Sequence, residues 1–260
     1  MPIQSVQRAL NILSFFSASR PQLGITEISK LMNLPKTTVH GLVQTLTQEG
    51  FLNQDIENKK YTLGLKIYEL STYLLSTLKI NQVGMDSVQK LAQKTSLMAR
   101  IGIWDKDSIL VTANSFPDAE NHQFNIIGPR VPGYCSALGK IFLATYNDSD
   151  IEEYLSKTPL TAYTEKTITD KSVLLEHIKE IRKTGYARED EEYINNMSCI
   201  SAPVYDNTGS TVASVSVSGL LGFLENDKIK ELIIEVKKTG MDISQKMGYF
   251  PDPLKINPMQ

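Results

Sequence analysis

The chain has 260 residues, with 27 Lys and Arg against 29 Asp and Glu, a formal net charge of −2. That length predicts two domains, each able to bury a core of its own, and a composition of 41% hydrophobic and 22% charged residues excludes a disordered, collagen-like or low-complexity chain. Two cysteines, Cys135 and Cys199, exclude a disulfide framework and a four-thiolate zinc site. No basic stretch followed by an apolar core opens the chain, and no run is long and apolar enough for a membrane span. A cytoplasmic location with no membrane partner is therefore expected.

Val6, Ala9, Leu10, Leu13 and Phe16 recur at helical spacing, predicting a helix over Ser5 to Ser17. Pro21 and Gly24 break it. Thr26 with Ser29 opens a second short helix, with Ile25, Ile28, Leu31 and Met32 facing inward. Asn33 suits a left-handed helix end, and Pro35 suits the first turn of a third helix running to about Glu49. Two short strands around the polar tip Asn58-Lys59-Lys60 read as a hairpin. A helix from Leu65 to Leu78 follows, with Leu63, Ile67, Leu70, Leu74 and Leu78 spaced either as a seam for a partner helix or as an ordinary packing face.

Beyond Ile80 the pattern changes. A helix near Val83–Lys94 precedes a hairpin made of Leu97–Trp104 and Ile109–Asn114. The Gly/Pro-rich segment Gly128–Gly133 leads into a helix from about Ser136 to Tyr146. Helical periodicity returns at Ile151–Leu155 and Val173–Thr184. The β-branched stretches Cys199–Val204 and Thr211–Ser218 flank a strong turn at Asp206–Gly209, and a helix over about Asn226–Met247 precedes a short tail. Helices flanking an antiparallel or mixed sheet make this half α+β. The expected division is 1–63, a linker helix over 64–79, 80–250, and a tail over 251–260.

Helix, helix, short turn, helix and hairpin is the order of a winged helix-turn-helix. With Val39, Leu42, Val43 and Leu46 buried, the third helix presents Thr37, Thr38, His40, Gly41 and Gln44, none of them a carboxylate. Such groups suit base edges and backbone oxygens in the major groove of double-stranded DNA. Arg8 and Lys36 are placed to neutralise phosphates nearby, as are Lys59 and Lys60 at the hairpin tip. Dividing the charge agrees: residues 1–63 hold six basic and four acidic groups, whereas 64–260 hold 21 and 25.

The segments SerValGlnArgAlaLeuAsnIleLeu at 5–13 and LeuProLysThrThrValHisGlyLeuValGlnThrLeu at 34–46 resemble the IclR family of bacterial transcriptional regulators. Tyr61-Thr62-Leu63-Gly64, Ser136-Ala137-Leu138-Gly139-Lys140, the GluGluTyr…CysIleSerAlaProVal stretch and SerValSerValSerGly at 214–219 match in the family's order. The resemblance implies a ligand-responsive regulator, with repression the expected sign of control. It would be a homodimer or tetramer on a pseudo-palindromic operator, with no cofactor. One departure is Gly41, where the family usually has Arg, so operator preference is not inherited.

The resemblance also implies a GAF-like effector domain with a pocket between sheet and loops. Cys135 or Ser136 is expected to cap a helix whose first N–H groups, on Ala137 and Leu138, form an anion site. Within the acidic run 189–192, Tyr186-Ala187 before it and Tyr193-Ile194 after it point to one carboxylate turned inward. Relative to Cys199 the resemblance selects Glu189, with Asp190 next, and makes Cys199 a pocket wall. Ser201, Ser214, Ser216 and Ser218 alternate with apolar residues, consistent with a hydroxyl-lined inner face or a solvent-facing row. Val131, Cys135, Ala137, Leu138, Glu189, Asp190, Cys199, Ser201, Ser216 and Ser218 are the effector-site candidates, and a small organic acid is the expected ligand. Arg130 would add a cation or lie on the surface.

An enzyme is the rival class, a hydrolase using Cys199 or Cys135 as nucleophile with His122 as base. No GxSxG, phosphate-binding loop or HExxH motif accompanies them, and Cys135, Cys199 and His122 lack the spacing of a zinc site.

Overall fold

The computed structural model describes residues 2–117, 130–223 and 227–250. The chain separates into two compact units, one ending at Thr77 and the other beginning at Leu78.

In the first unit α1 (Gln4–Leu13), α2 (Ile25–Met32) and α3 (Lys36–Gln48) surround one core. Ile12, Ile28, Val39, Val43 and Leu46 fill it, closed by Leu23, Leu52 and Tyr61. Each of the two fully buried isoleucines contributes roughly 1.5–3 kcal/mol. The strands β1 (Leu52–Gln54) and β2 (Tyr61–Leu63) pair antiparallel, Leu52 opposite Leu63, and Leu23 adds a bridge to Tyr61. Gly64 closes the hairpin where a Cβ would sit 2.1 Å from the Gly50 carbonyl oxygen, so a side chain has no room. From there α4 (Leu65–Thr77) runs without a single buried residue.

Local chemistry departs from expectation at several ends. α1 stops at Leu13, not Ser17, and Phe16 reaches the core from a turn closed by a Ser17–Arg20 bridge. The second helix begins at Ile25, with Gly24 as its N-cap. The Glu27 carboxylate accepts from the Gly24 N–H at 2.7 Å, so Thr26 lies inside the helix. Pro35 is the N-cap of α3, not a residue of its first turn. Asn33 adopts the left-handed conformation (φ 51°) as expected.

The second unit is built on six antiparallel strands in the order β5-β4-β3-β8-β7-β6. These are β3 (Met98–Asp105), β4 (Ser108–Ser115), β5 (Arg130–Pro132), β6 (Ala187–Asp190), β7 (Met197–Tyr205) and β8 (Thr211–Leu220). On one face α5 (Lys79–Thr95) and α9 (Asp227–Lys246) bury Ala99, Ile101, Ile200, Ala202, Val215 and Val217. α5 starts four residues earlier than its apolar pattern predicts, because Leu78 alone, in extended conformation, divides it from α4. On the other face lies the short α6 (Ala137–Leu143), with α7 (Asp148–Lys157) and α8 (Lys171–Thr184) packed beyond it. Gly139 lets α6 start against Gly133, whose carbonyl oxygen lies 2.3 Å from where a Cβ would stand. The expectation of a bend at Gly128 falls outside the described residues.

Candidate functional site

The outward arc of α3 carries Thr37, Thr38, His40, Gly41 and Gln44, all exposed. The Thr45 hydroxyl is turned back, donating to the Gly41 carbonyl at 3.0 Å. Val39 is the first residue whose N–H reaches back into the helix, to Pro35 at 3.1 Å. The N–H groups of Lys36, Thr37 and Thr38 are therefore left for an outside acceptor beside the exposed Lys36 side chain. At the hairpin tip Lys59 is exposed in left-handed conformation (φ 57°). Lys60 is held differently, its ammonium 3.9 Å from the Glu27 carboxylate and its side chain 45% exposed. Arg8 is half-buried on α1.

In the second unit a cavity of about 390 Å³, counting its open mouth, lies between the sheet and the start of α6. Its floor follows from register. Glu189, Cys199 and Ser218 are directly opposite one another across β6, β7 and β8, and Ser201, Ser216 and Arg100 form the next row across β7, β8 and β3. Residues opposite in a ladder share a face, so this row structure puts all six on the side away from α5 and α9. The four alternating serines are buried, which makes them an inner face and not a solvent-facing row. Val131, Ala137, Leu138, Glu189, Cys199, Ser216 and Ser218 line the cavity, joined by Arg100, Ser136 and Tyr193.

Ser136 caps α6: its hydroxyl accepts from the Gly139 N–H at 3.2 Å and donates to the Pro132 carbonyl at 2.5 Å. Ser214 ties this turn to the sheet by donating to the Leu138 carbonyl at 3.1 Å. Glu189 is 4% exposed, and burial pushes its carboxyl up to about 7, against the pull of the Glu192 N–H that it accepts at 3.0 Å. Two acids of the run turn inward, not one. Glu192 is buried too, in an ion pair with the wholly buried Lys140.

Three expected lining residues do not line the cavity. Asp190 alternates to the opposite side of β6, where it pairs with Arg188 at 2.8 Å and accepts from the Ser198 hydroxyl. Cys135 precedes the cap residue and packs among Ile151, Tyr154 and Leu174. Ser201 is buried on the right face, but its hydroxyl donates to the Val215 carbonyl at 2.9 Å. Arg130 lies at the surface, ion-paired with Asp105.

Arg100 is the principal residue missed. It is 5% exposed, its Nε has no hydrogen-bond partner, and it enters no ion pair among the described residues. Burial holds its pKa below the ordinary arginine value. Its signal was the alternation of its strand: Ala99 and Ile101 belong to the core face, so a charged residue between them points the other way.

Comparison with known proteins decides what these two units are. Residues 72–245 match the model of the bacterial transcriptional regulator IclR C-terminal domain, and residues 5–55 match the IclR helix-turn-helix domain. The chain belongs to the IclR family. The HTH-type transcriptional regulator XynR of Escherichia coli (strain K12) is 30% identical over 250 residues, 96% of this chain and 99% of that protein. An IclR transcriptional regulator from Alicyclobacillus acidocaldarius shares the fold at a TM-score of 0.85 and 22% identity, covering 95% of this chain and 100% of that one. So does an IclR homolog from Microbacterium hydrocarbonoxydans complexed with 4-hydroxybenzoate, at 0.80 and 21%, covering 94% of this chain and 99% of that one.

As an IclR-family member the chain is a ligand-responsive, DNA-binding transcriptional regulator and not an enzyme. The thiols agree with that class. Burial pushes Cys135 up to about 12 and Cys199 well above its ordinary value, so neither is a thiolate near neutrality. His122, the proposed base and metal ligand, lies outside the described residues. Among those described, no cluster of three His, Cys, Asp or Glu side chains is placed to hold a metal, and no helix is long and apolar enough to cross a membrane.

Proposed function

We propose that this IclR-family regulator is a cytoplasmic repressor whose GAF-like carboxy-terminal unit senses a small organic acid, and that it reads a pseudo-palindromic operator as a dimer or dimer of dimers. The observation that carries the sensing role is the cavity on the sheet, with the Glu189 carboxyl at one edge and groups that favour an anion at the other. A ligand carboxylate beside Glu189 meets a like charge. Beside the α6 N–H groups of Ala137 and Leu138, neither used within the helix, it meets donors. A fold-sharing homolog complexed with 4-hydroxybenzoate, a hydroxylated acid, supports that chemistry.

The reading of DNA rests on the carboxylate-free arc of α3, with Thr37, Thr38, His40 and Gln44 facing base edges and Lys36, Lys59, Lys60 and Arg8 at the phosphates. Dimerisation is supported by apolar residues that the first unit leaves uncovered on α1 and α4, among them Leu10 at 58% and Leu74 at 59% exposure. Two-fold symmetry then sets half-sites about one helical turn apart.

Selection from a randomised duplex library with the full-length protein tests this reading. The expected product is an inverted repeat, and a thermal-shift panel of small carboxylic acids is expected to raise the melting temperature. Recovery of no preferred sequence would contradict the operator assignment, whereas a reporter fusion reads the sign of control, repression being expected.

A further inference from the structure

We propose that Arg100 and Ser216 together form the carboxylate clamp of the effector pocket and set its selectivity for acids over their neutral counterparts. The proposal rests on the reading of the cavity as a sensor of organic acids, and it names the side chains that make that choice.

Arg100 on β3 and Ser216 on β8 are directly opposite in an antiparallel ladder. At that spacing their Cβ atoms stand about 4.5–5.5 Å apart on one face. Both line the cavity, and both are buried, Arg100 at 5% and Ser216 at 1% exposure. The Arg100 Nε and the Ser216 Oγ each lack a hydrogen-bond partner. That is an expensive pair of groups to leave unmatched, since a buried guanidinium is normally ion-paired or hydrogen-bonded.

The neighbouring serines show the contrast. Ser201 and Ser214 sit on the same face with their hydroxyls committed to backbone carbonyls, at 2.9 and 3.1 Å. Neither nearby carboxylate pairs with Arg100: one Glu192 oxygen is ion-paired with Lys140 and its other oxygen has no hydrogen-bond partner, while Glu189 accepts from the Glu192 N–H. Among the described residues none neutralises Arg100, so its counter-charge is assigned to a molecule in the cavity. A carboxylate supplies it through two parallel N–H···O bonds with the planar guanidinium, and one oxygen takes the Ser216 hydroxyl as well. Glu189, across the cavity on β6, is then left for a hydroxyl at the other end of the ligand. A small hydroxylated monocarboxylate satisfies both ends. A neutral amide leaves Arg100 without its counter-charge.

The test uses the full-length protein and its single tryptophan. Trp104 packs against the cluster containing the cavity residues Val131 and Leu138, so its fluorescence reports on ligand entry. Glycolate, lactate, gluconate and 4-hydroxybenzoate are titrated, each beside its own amide, into wild type and into Arg100→Met, Arg100→Lys and Ser216→Ala. For whichever acid binds, the amide is expected to bind at least about 30-fold more weakly, and Arg100→Met is expected to lower acid affinity by a similar factor. Arg100→Lys keeps the charge but loses the fork, and Ser216→Ala removes one donor. Each is expected to cost about tenfold. A cooperative melt of Arg100→Met at or above the wild-type temperature shows that the loss is one of recognition. If that variant does not fold, the Lys and Ala variants decide by the same comparison. Acid affinity unchanged within threefold in the variants would overturn the clamp and leave the acid-sensing reading standing. Equal binding of acid and amide by wild type, or binding of none of the four acids, would overturn both.

Discussion

At the scale of single residues, the pocket's charge state is the feature most open to measurement. Glu189 has its carboxyl raised from an ordinary 4.5 to about 7 by burial. The folded state therefore holds that proton more tightly than the unfolded chain. The stability associated with it is complete below about pH 4.5 and is lost as pH rises through about 7. Replacing the group by an uncharged isostere, Glu189→Gln, is expected to leave stability unchanged in acid and to raise it by up to about 3 kcal/mol above pH 7. Urea unfolding at pH 4.5 and pH 8 checks this, and equal differences at the two pH values would place the carboxyl in an ordinary environment. Gly41 offers a second residue-scale test. A Cβ there meets nothing within 4 Å, so Gly41→Ala is expected to stabilise the first unit by about 0.5–1 kcal/mol, read in the same way.

At the scale of elements, α3 and the hairpin are expected to divide labour. Thr38→Ala or Gln44→Ala is expected to weaken operator binding by about 1–3 kcal/mol while leaving random-sequence DNA nearly unaffected. Lys59→Ala is expected to weaken binding to all DNA and to flatten the salt dependence by about two per dimer, one for each copy. Lys60→Ala is expected to do less, because Glu27 already sits 3.9 Å from its ammonium. Anisotropy titrations across salt concentrations separate these effects, and equal slopes for wild type and Lys59→Ala would remove the wing from the interface. On α4, Leu70→Glu with Leu74→Glu is expected to yield monomers by sedimentation, since both side chains are exposed within one unit. A variant that stays dimeric would place the subunit contact elsewhere.

Elements were legible in the sequence wherever apolar spacing alone decides the structure. α3 has a single buried stripe, and β7 and β8 alternate cleanly about a strong turn, whereas on α2 Ile28 is buried as expected but Leu31, expected inside, is 44% exposed. The reading failed where two constraints overlap. On α1 an apolar spacing continues to Phe16, but the helix ends at Leu13, and Val6 and Leu10 face outward and not into the core. β6 was hidden because its alternation runs Ala187, Arg188, Glu189, Asp190, with a buried acid where a strand normally offers an apolar residue. The pocket was legible at Ala137, Leu138, Glu189 and Cys199 through family resemblance. Arg100 escaped because a charged residue inside a hydrophobic strand reads first as an exposed one.

At the scale of the whole molecule, the net charge of −2 conceals an excess of two basic groups over 1–63 and of four acidic groups over 64–260. Such a division favours an anionic polymer at the first unit and disfavours it at the second, so DNA is expected to be steered to the helix-turn-helix unit. The two units are joined in sequence where α4 gives way to α5 at Leu78, and α4 carries the exposed apolar residues proposed to join subunits. Ligand and operator are thereby expected to bias one dimer between two arrangements, with a coupling of about 1–3 kcal/mol. Linkage requires the effect to be reciprocal: the operator must change acid affinity by the same factor as the acid changes operator affinity. The decisive measurement is a titration of labelled operator with the whole chain, with and without a saturating acid identified by the tryptophan assay, followed by the converse titration. A shift of about 5–150-fold, equal in both directions, is the expected result. An operator affinity unmoved by saturating acid would contradict the sensor role of the sheet cavity.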